Sequence, residues 1–457
     1  MTSHSEESSA CSSLLAQTHC VDSTQMEQAE STLIRESNSK ENNLSVKEEK
    51  KRNSRWANLP DDVLELIMKR LSLKDYLGLR AICSPWRATV ANAILNKHCH
   101  PLPELPLVVL NSHESYTFFN LRTERLLCPK TPLFKNMQTF HGSVEGWMIV
   151  SEYVNVASLN IFFFNPVTNA RVFVPSMLNF PSNSPRQDNL LLGKMVASSR
   201  PDCSGCFLVG LFDDYCHIAF CRISVESWST IEADKDSGVH FIDVEIIDTK
   251  LYARTDRSLN TILVFDLQDF SDEPPKPKVL AMIPVPQVPP PVSRLFGNIR
   301  FDRGNLLIFL AKDDAIGELF LIYMFCNSAY ETHNVGYMNL VMQYVTPPTI
   351  TRVDVFKLNT SNETNQWIKV DNLGDRVMFL GGNKCLVMSR AALNSTEELI
   401  AGNSIYFIVE FHCPANPRVV FRLGMISLTD NSIKYKYFSL VKSSPFPPNL
   451  SWFVPSV

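Results

Sequence analysis

Several features that would assign a function class directly are scarce or missing in this sequence. Glycine contributes only 16 of 457 residues, about half the usual share. The strongest apolar run, Leu159 to Phe164, is far too short to cross a bilayer. The formal net charge is −4, so the basic excess that a nucleic-acid-binding surface requires is missing. No Gly-rich phosphate loop, no G-x-S-x-G elbow and no H-E-x-x-H motif is found, so no recognisable catalytic motif is present.

The composition that remains is typical of a globular protein with a large core. Hydrophobic residues make up 45% of the chain and charged residues 20%. The first residues include Glu6 and Glu7 and lack an apolar run, so we expect no secretory signal. Twelve cysteines at irregular spacing are then expected to be buried thiols in a reducing compartment. We therefore expect the chain in the cytoplasm, the nucleus or both, with neither a membrane nor a nucleic acid as its partner.

Residues 1–55 form a polar N-terminal segment that is rich in Ser, Glu, Asn, Gln and Lys and has no sustained apolar period. This composition predicts disorder. The run "KEEKKRNSR", Lys47 to Arg55, fits either a nuclear import signal or a solvated charged tail. We favour the charged tail.

Residues 56–100 show helical periodicity and predict three short helices. Pro60 suits the first turn of a helix, and Asp61 and Asp62 follow at the positive end of its dipole. Ser72 and Asp75 form a pair that resembles a capping box at the start of the second helix. One apolar stripe on the first helix comprises Val63, Leu64, Ile67, Met68 and Leu71.

The third helix is predicted to start at Ser84 and Pro85. Three helices of this length bury too little surface to be stable alone, so another surface is expected to cover them.

Residues 101–457 change to short β-branched and aromatic runs separated by polar turns. A strand–turn–strand repeat recurs six times, with anchors at Phe119, Phe164, Phe220, Phe265, Phe356 and Met425. Several of the gaps match the length of one four-stranded propeller blade. The sequence therefore predicts a mainly β protein with a small N-terminal α domain and a β-propeller-like ring, with a less regular stack of sheets as the alternative.

Two stretches in this β region lengthen the repeat, from Glu273 to Pro291 and from Ser328 to Thr349, and are expected to be insertions. The low glycine content does not fit propeller turns well. Asn and Asp are expected to fill turn positions instead, because both residue types tolerate left-handed backbone.

A few polar groupings were considered as sites of chemistry. Cys203, Cys206, Cys216, His217 and Cys221 lie close in sequence, and we weighed a zinc site and a redox pair against buried thiols. Buried thiols are favoured because "CFLVGLF" and "CHIAFC" have the pattern of buried strands.

Three further polar groupings are predicted to be turns. They are "VEGW" and the pairs Asp213-Asp214 and Asp313-Asp314. Asp375 and Arg376 are expected to close a turn through hydrogen bonds and an ion pair before a strand that contains Val377 and Phe379. No catalytic residue, metal ligand or cofactor-binding residue is assigned.

The helical segment resembles an F-box. That family has Leu-Pro before an apolar helix, an acidic and leucine-rich second helix, and then Cys-x-x-Trp. The corresponding pieces here are Leu59-Pro60, "DDVLELIMKRL", "LKDYLGLR" and Cys83-Ser84-Pro85-Trp86. The remainder resembles the kelch-like domain of unknown function that follows the F-box in many plant proteins, on the pieces "GWMIV", "FFFNPVTNARVFVP", "KLYA", "VDNLGDRVMFLGGNKCLVMS", "NSIYF" and "NLSWFVPS".

This resemblance implies a non-catalytic substrate adaptor of an SCF (Skp–cullin–F-box) E3 ubiquitin ligase. The helices would bind the small Skp adaptor, and through it cullin, while the β domain would hold an unknown target protein. The residues that match the family's apolar contact positions are Leu59, Pro60, Leu64, Ile67, Leu79 and Trp86. Some of them could instead hold the helices together, and for Trp86 the two roles are equally weighted. The alternatives are a Skp-binding scaffold outside a ligase, or a propeller that acts as an enzyme or binds glycans.

Overall fold

We describe the protein from a computed structural model. It describes the backbone of residues 56–96, 99, 104–112, 115–127, 138–155, 158–175, 192–203, 205–212, 217–225, 228–232, 240–256, 260–267, 279–286, 292–296, 299–335, 339–360, 365–393, 400–412, 419–440 and 450–456. The prediction of disorder for residues 1–55 lies outside the described residues.

The helices follow the predicted start signals. They are α1 (Asp61–Met68), α2 (Leu73–Gly78) and α3 (Ser84–Asn96), with a short 3-10 turn (Leu79–Ala81) after α2. The amide of Asp75 donates to Ser72 Oγ at 3.2 Å, and Ser72 Oγ donates to the Asp75 carboxylate at 2.8 Å. The predicted pairing of these two residues at the start of α2 is therefore confirmed.

The helices share one small core. Its buried apolar members are Leu64, Met68, Leu73, Tyr76, Leu79, Val90, Ala93 and Cys99. Val167, which belongs to the β domain, packs against this core. Glu104, which lies close to the start of the β domain, accepts a hydrogen bond of 2.9 Å from the amide of Leu73. The β domain therefore supplies part of the cover that the short helices need.

The rest of the described chain is almost entirely β-structure. The strands are β1 (Leu107–Ser112), β2 (Ser115–Asn120), β3 (Arg125–Leu127), β4 (Gln138–Val144), β5 (Trp147–Asn155), β6 (Ser158–Asn165), β7 (Ala170–Phe173), β8 (Leu192–Ala197), β9 (Phe207–Phe212), β10 (His217–Arg222), β11 (Trp228–Glu232), β12 (Phe241–Ile247), β13 (Lys250–Thr255), β14 (Thr261–Asp266), β15 (Val279–Pro284), β16 (Val292–Phe296), β17 (Ile299–Asp313), β18 (Glu318–Val335), β19 (Asn339–Asn359), β20 (Gln366–Val370), β21 (Arg376–Leu380), β22 (Leu386–Ser389), β23 (Ser404–His412), β24 (Val419–Ser427), β25 (Ile433–Leu440) and β26 (Leu450–Phe453).

These strands form four separate four-stranded sheets and one ten-stranded sheet. Blade 1 has the order β26-β1-β2-β3, and blades 2, 3 and 4 consist of β4 to β7, β8 to β11 and β12 to β15. The ten-stranded sheet joins two halves, here called blade 5 (β16 to β20) and blade 6 (β21 to β25). A single parallel pair, Asp313 with Val387, connects β17 to β22.

Apolar clusters join the blades in cyclic order, which makes the arrangement propeller-like. Each cluster takes buried residues from two neighbouring blades. Representative pairs are Phe118 and Phe140, Phe163 and Phe212, Val209 and Val244, Val264 and Leu321, Ile322 and Phe407, and Phe379 and Phe119. The last pair joins blade 6 to blade 1. The ring is therefore closed, and closure leaves few exposed sheet edges.

The six sequence repeats correspond to equivalent positions in these blades. Their anchors lie on β2, β6, β10, β14, β19 and β24, and each of these strands pairs with the strand that follows it. The sequence repeat therefore marks the outer hairpin of each blade.

Left-handed turn positions are taken mainly by polar residues other than glycine, as predicted. Within the described part of the chain, five Asn and Asp residues have positive φ: Asn169, Asp248, Asn260, Asn403 and Asn431. In the predicted "VEGW" turn, Glu145 and Gly146 have φ of 40° and 82° and connect β4 to β5. The scarcity of glycine is thus compatible with tight blade turns.

The two expected insertions are not simple loops. Strand β15 lies inside the proline-rich stretch from Glu273 to Pro291 and completes blade 4. Most of Ser328 to Thr349 extends β18 and β19, which pair along this length. Both stretches therefore contain β-strand, because backbone pairing outweighed the turn-like composition.

Candidate functional site

The first candidate surface is apolar and lies on the helices. Trp56, Leu66 and Ile82 are 63%, 62% and 59% exposed, and Val63 is 38% exposed. Pro60 is also exposed, and Leu59 and Ile67 are half-buried; we call these seven apolar residues of the helical segment the exposed helical surface. Positions 63, 66 and 67 share one side of α1 because residues three and four apart are neighbours on a helix. An apolar patch of this kind on a small domain indicates a protein partner.

The six predicted adaptor contacts divide into two groups in the structure. Leu64 is 1% exposed and Leu79 is 7% exposed, so both side chains pack inside the helical core. Pro60 is exposed, and Leu59, Ile67 and Trp86 are half-buried. Their contact with an adaptor stays a prediction.

Trp86 also has an internal role. Its indole N–H donates to the backbone oxygen of Trp56 at 2.8 Å and connects the start of α3 to the chain before α1. Sequence reasoning missed Trp56, Val63, Leu66 and Ile82 as surface candidates. For Leu66 a signal was available, because this residue lies outside the apolar stripe of the first helix.

The second candidate site is a cavity of about 270 Å³ on the axis of the ring. Its walls come from several blades, including Thr139, His141, Lys194, Asp243, Arg254, Phe309, Gly381, Gly382, Asn383 and Cys385. Lys194 Nζ donates to Asp243 Oδ1 at 2.8 Å and to Glu245 Oε1 at 2.9 Å. Burial alone would lower the pKa of Lys194, but the two carboxylates outweigh it and raise that pKa above its usual value. The ammonium group is therefore charged at neutral pH.

His141 and Cys385 are the cavity residues of types often used in catalysis, and both are buried. Because a carbonyl can only accept, His141 Nδ1 donates to Gly193 O at 2.8 Å and Nε2 accepts from Ser151 Oγ at 2.7 Å. Burial lowers the pKa of His141 to about 4. Burial also raises the pKa of Cys385 to about 12. A neutral, fully bonded imidazole and a protonated thiol favour binding over acid–base or nucleophilic chemistry.

The two candidate surfaces lie on opposite faces of the ring. Strands β4, β8, β12 and β17 line the axis, since each contacts the next around the ring. The cavity residues Thr139, Gly193 and Ile242 sit at the starts of β4, β8 and β12. Strand β6 runs parallel to β4, because both pair antiparallel with β5. Val167 follows β6 and packs against the helical core. The helices therefore lie on the face of the ring where the axial strands end.

The other polar groupings have structural surroundings. Asp375 lies in the predicted turn, which the amide of Arg376 closes by donating to Leu373 O at 3.2 Å. The Asp375 carboxylate accepts hydrogen bonds from Ser389 Oγ and from the amide of Ala391, which lie outside that turn. The Arg376 guanidinium bonds to Asp313 at 3.0 Å and so connects blades 6 and 5. The expected ion pair is thus an inter-blade contact instead of a turn contact.

The cysteines near residue 203 are placed in part by the structure. Cys206 and Cys221 are buried in the cluster between blades 2 and 3, and burial raises the pKa of Cys206 to about 11. Cys216, Asp213 and Asp214 lie outside the described residues. Among the residues that are described, no three His, Cys, Asp or Glu side chains are grouped so as to hold a metal ion. Nor does any helix in the described ranges have the length and apolarity needed to cross a membrane.

Two family models match this sequence. Residues 118–434 match the family described as KIB1-4 beta-propeller, and residues 56–98 match the F-box domain. F-box protein At3g56470 of Arabidopsis thaliana is 28% identical over 130 residues, which cover 28% of this chain and 33% of the relative. F-box protein At1g49360 of the same plant is 27% identical over 122 residues, which cover 26% of this chain and 24% of the relative. The match thus spans about a third or less of either relative's length.

Solved structures give only remote likenesses. TolB from Acinetobacter baumannii is 11% identical with a TM-score of 0.32, and the match covers 81% of this chain and 73% of that one. At this TM-score the likeness supports no conclusion about fold or function.

Proposed function

This chain is a plant F-box protein of the KIB1-4 beta-propeller family, and on that premise we propose that it is the substrate-recognition adaptor of an SCF-type E3 ubiquitin ligase. The F-box helices bind a Skp-family adaptor, and the adaptor links the chain to cullin. The propeller holds a target protein for ubiquitination and performs no chemistry on it. The complex is proposed to act in the cytoplasm, the nucleus or both.

The exposed helical surface is the observation that carries this proposal. It leaves Trp56, Leu66 and Ile82 exposed to solvent, and the amide of Leu59 donates to Trp56 O at 3.3 Å. Large apolar side chains buried in a helical groove are a common mode of peptide and helix recognition. Fully burying such a side chain contributes about 1.5–3 kcal/mol, so a few of them can hold an adaptor.

The placement of the helices also supports an adaptor role. A Skp protein on the exposed helical surface would sit on the side of the ring opposite the axial cavity. The cavity face then remains accessible while the adaptor is bound. A receptor that presents a target to a ligase needs both surfaces at once.

The test is co-purification of the full chain with a Skp-family adaptor. Changing Leu59→Ala together with Pro60→Ala should abolish adaptor binding and leave the far-ultraviolet circular dichroism of the propeller unchanged. Val225→Ala is the matched control, because Val225 is an apolar residue 45% exposed on the propeller. Adaptor binding at full strength in the double variant would overturn the assignment of the helices.

Cullin in the same purified complex separates a ligase subunit from a scaffold. We expect cullin to co-purify with the wild-type chain and to be lost with the adaptor in the double variant. An adaptor complex that never contains cullin would favour the alternative of a Skp-binding scaffold.

A further inference from the structure

The charged residues in the wall of the axial cavity are two cations, Lys194 and Arg254, and one carboxylate, Asp243. Asp243 is the carboxylate in its wall, and its oxygens already accept from Lys194 Nζ, from the amide of Val244 and from the amide of Leu310. Lys194 has three N–H donors, of which two are used by Asp243 and Glu245. The polar groups that face the cavity therefore suit a ligand that accepts hydrogen bonds.

Charge around the axis points the same way. The buried cations are Lys194, Arg254, Lys312 and Lys384, and the carboxylates near them are Asp243, Glu245, Asp313 and Asp314, of which Asp313 pairs with Arg376. Lys384 is 5% exposed and acts electrostatically on Asp314. An added anion is stabilised beside buried cations, because attraction is strong at low dielectric.

His141 does not change this preference of the cavity for an anionic ligand. Its pKa of about 4 keeps the ring neutral at physiological pH, and both ring nitrogens are already bonded. Glu245 contributes a negative charge but is not part of the cavity wall. Its carboxylate pairs with Lys194 at 2.9 Å. Lys194 and Arg254 are the cations of the wall itself.

Size and position identify the kind of ligand. A volume of about 270 Å³ holds one or two side chains and is small for a cofactor or a drug-sized molecule. The cavity also lies on the face away from the helices, where a target can approach while an adaptor is bound.

We propose that the axial cavity receives an acidic side chain, Asp or Glu, from an exposed segment of the target protein. This inference rests on the proposed function as a substrate adaptor. The side-chain carboxylate accepts the third N–H of Lys194 and interacts with the guanidinium of Arg254. Acidic residues beside an accessible segment would then mark a protein as a target.

The experiment uses the full chain in complex with its Skp adaptor, immobilised through the adaptor. Three pools of random nine-residue peptides are passed over it, with a central Glu, Gln or Lys. Glu and Gln have the same shape, so their comparison isolates the charge. We expect the Glu pool to be retained about tenfold or more over the Gln pool, as loss of a charge-assisted hydrogen bond requires. The Lys pool should be retained least.

A cavity-filling variant ties the preference to this site. A Cβ atom at Gly382, which lines the cavity, would first meet Leu450 O at 3.7 Å, an ordinary contact, so Gly382→Phe places a bulky side chain at the cavity wall. Gly205→Phe is the matched control, since nothing lies within 4 Å of a Cβ atom there. Gly382→Phe should remove the Glu preference, and Gly205→Phe should keep it. If Gly382→Phe does not fold, Arg254→Gln replaces it and should reduce the preference.

Three results would overturn the inference. The first is equal retention of the Glu and Gln pools. The second is a Glu preference that survives in Gly382→Phe or, where that variant does not fold, in Arg254→Gln. The third is competition by free glutarate as strong as that of the Glu pool, which would assign the cavity to a small carboxylate instead of a target segment.

The proposed function and the inference about the cavity are tested by different measurements. If no adaptor binds the chain, the proposed function fails, and the chain is then immobilised through a terminal tag for the same comparison. If adaptor and cullin bind but the Glu pool is not preferred, only the inference about the cavity fails.

Discussion

Lys194 on β8 donates a hydrogen bond of 2.9 Å to Glu245 on β12, and both side chains are buried. The same ammonium group bonds to Asp243 at 2.8 Å. Blade 3 is thus connected to blade 4 at the axis by charged groups that have little contact with solvent. Removing one partner of such a group leaves a charge buried without compensation.

We predict that Lys194→Met lowers the free energy of unfolding by about 3–5 kcal/mol, because two carboxylates lose their buried cation. Urea denaturation followed by circular dichroism measures this. Lys357→Met is the matched control. Lys357 bonds to Glu318 at 2.9 Å with side chains 35% and 26% exposed, so its loss should cost about 1 kcal/mol or less. Equal losses in the two variants would contradict a special role for the axial network.

We predict that His141 makes the protein less stable in acid. The folded-state pKa of His141 is about 4, below the value of about 6.5 for an unfolded chain. The unfolded state therefore binds a proton first as the pH falls. The contribution of His141 to the free energy of unfolding is fully present above about pH 6.5. It is lost progressively toward pH 4, by about 3 kcal/mol.

Comparing His141→Asn with the wild type isolates this effect from that of the carboxylates. Urea denaturation between pH 7.5 and pH 4.5 should show a shallower pH dependence for the variant. Parallel curves for the two proteins would show that His141 does not titrate as its buried position indicates.

We predict that Trp452 is needed to close the ring. Trp452 is fully buried, lies on the C-terminal strand β26, and its ring is 5.1 Å from that of Phe379 in blade 6. Trp452→Ala should therefore lower the free energy of unfolding by about 3–5 kcal/mol. Trp56→Ala removes the same side chain where it is 63% exposed and should change stability by about 0.5 kcal/mol or less. Thermal unfolding of the two variants compares them directly.

We predict that substitutions of two leucines on α1 have opposite effects on adaptor binding and on stability. Leu66 is 62% exposed and Leu64 is 1% exposed. Leu66→Ser should weaken co-purification with the adaptor and leave stability within about 0.5 kcal/mol of wild type. Leu64→Ala should destabilise the helical core by about 2–5 kcal/mol, measured as faster cleavage by a protease. An adaptor interaction that depends on Leu64 but not on Leu66 in folded protein would contradict this surface assignment.

Local signals predicted much of the architecture. Pro60, Ser72 and Ser84 indicated the helix starts, because capping and proline geometry depend on neighbouring residues only. The six repeat anchors, Phe119 among them, indicated the outer hairpins for the same reason, since a hairpin brings together residues close in sequence. The position of Asp375 in a turn was likewise predictable from its neighbours.

Other assignments required knowledge of distant neighbours. Arg376 was expected to pair within its turn, yet its partner is Asp313, 63 residues away in sequence. The residues of the axial cavity showed no sequence signal, because a polar residue in a strand usually faces solvent. Lys194, Asp243 and Arg254 come together only because their strands line the axis of a closed ring.

The sequence by itself determined that this chain carries short helices followed by repeated strand hairpins, since propensity, capping and periodicity act over a few residues. Only the tertiary structure decided which apolar side chains remain exposed and which charges meet. Leu64 and Leu66 have the same chemistry, and packing alone makes one a core residue and the other part of a surface. Burial and long-range pairing depend on ring closure. Closure depends on contacts among all the blades, so no single position in the sequence encodes it.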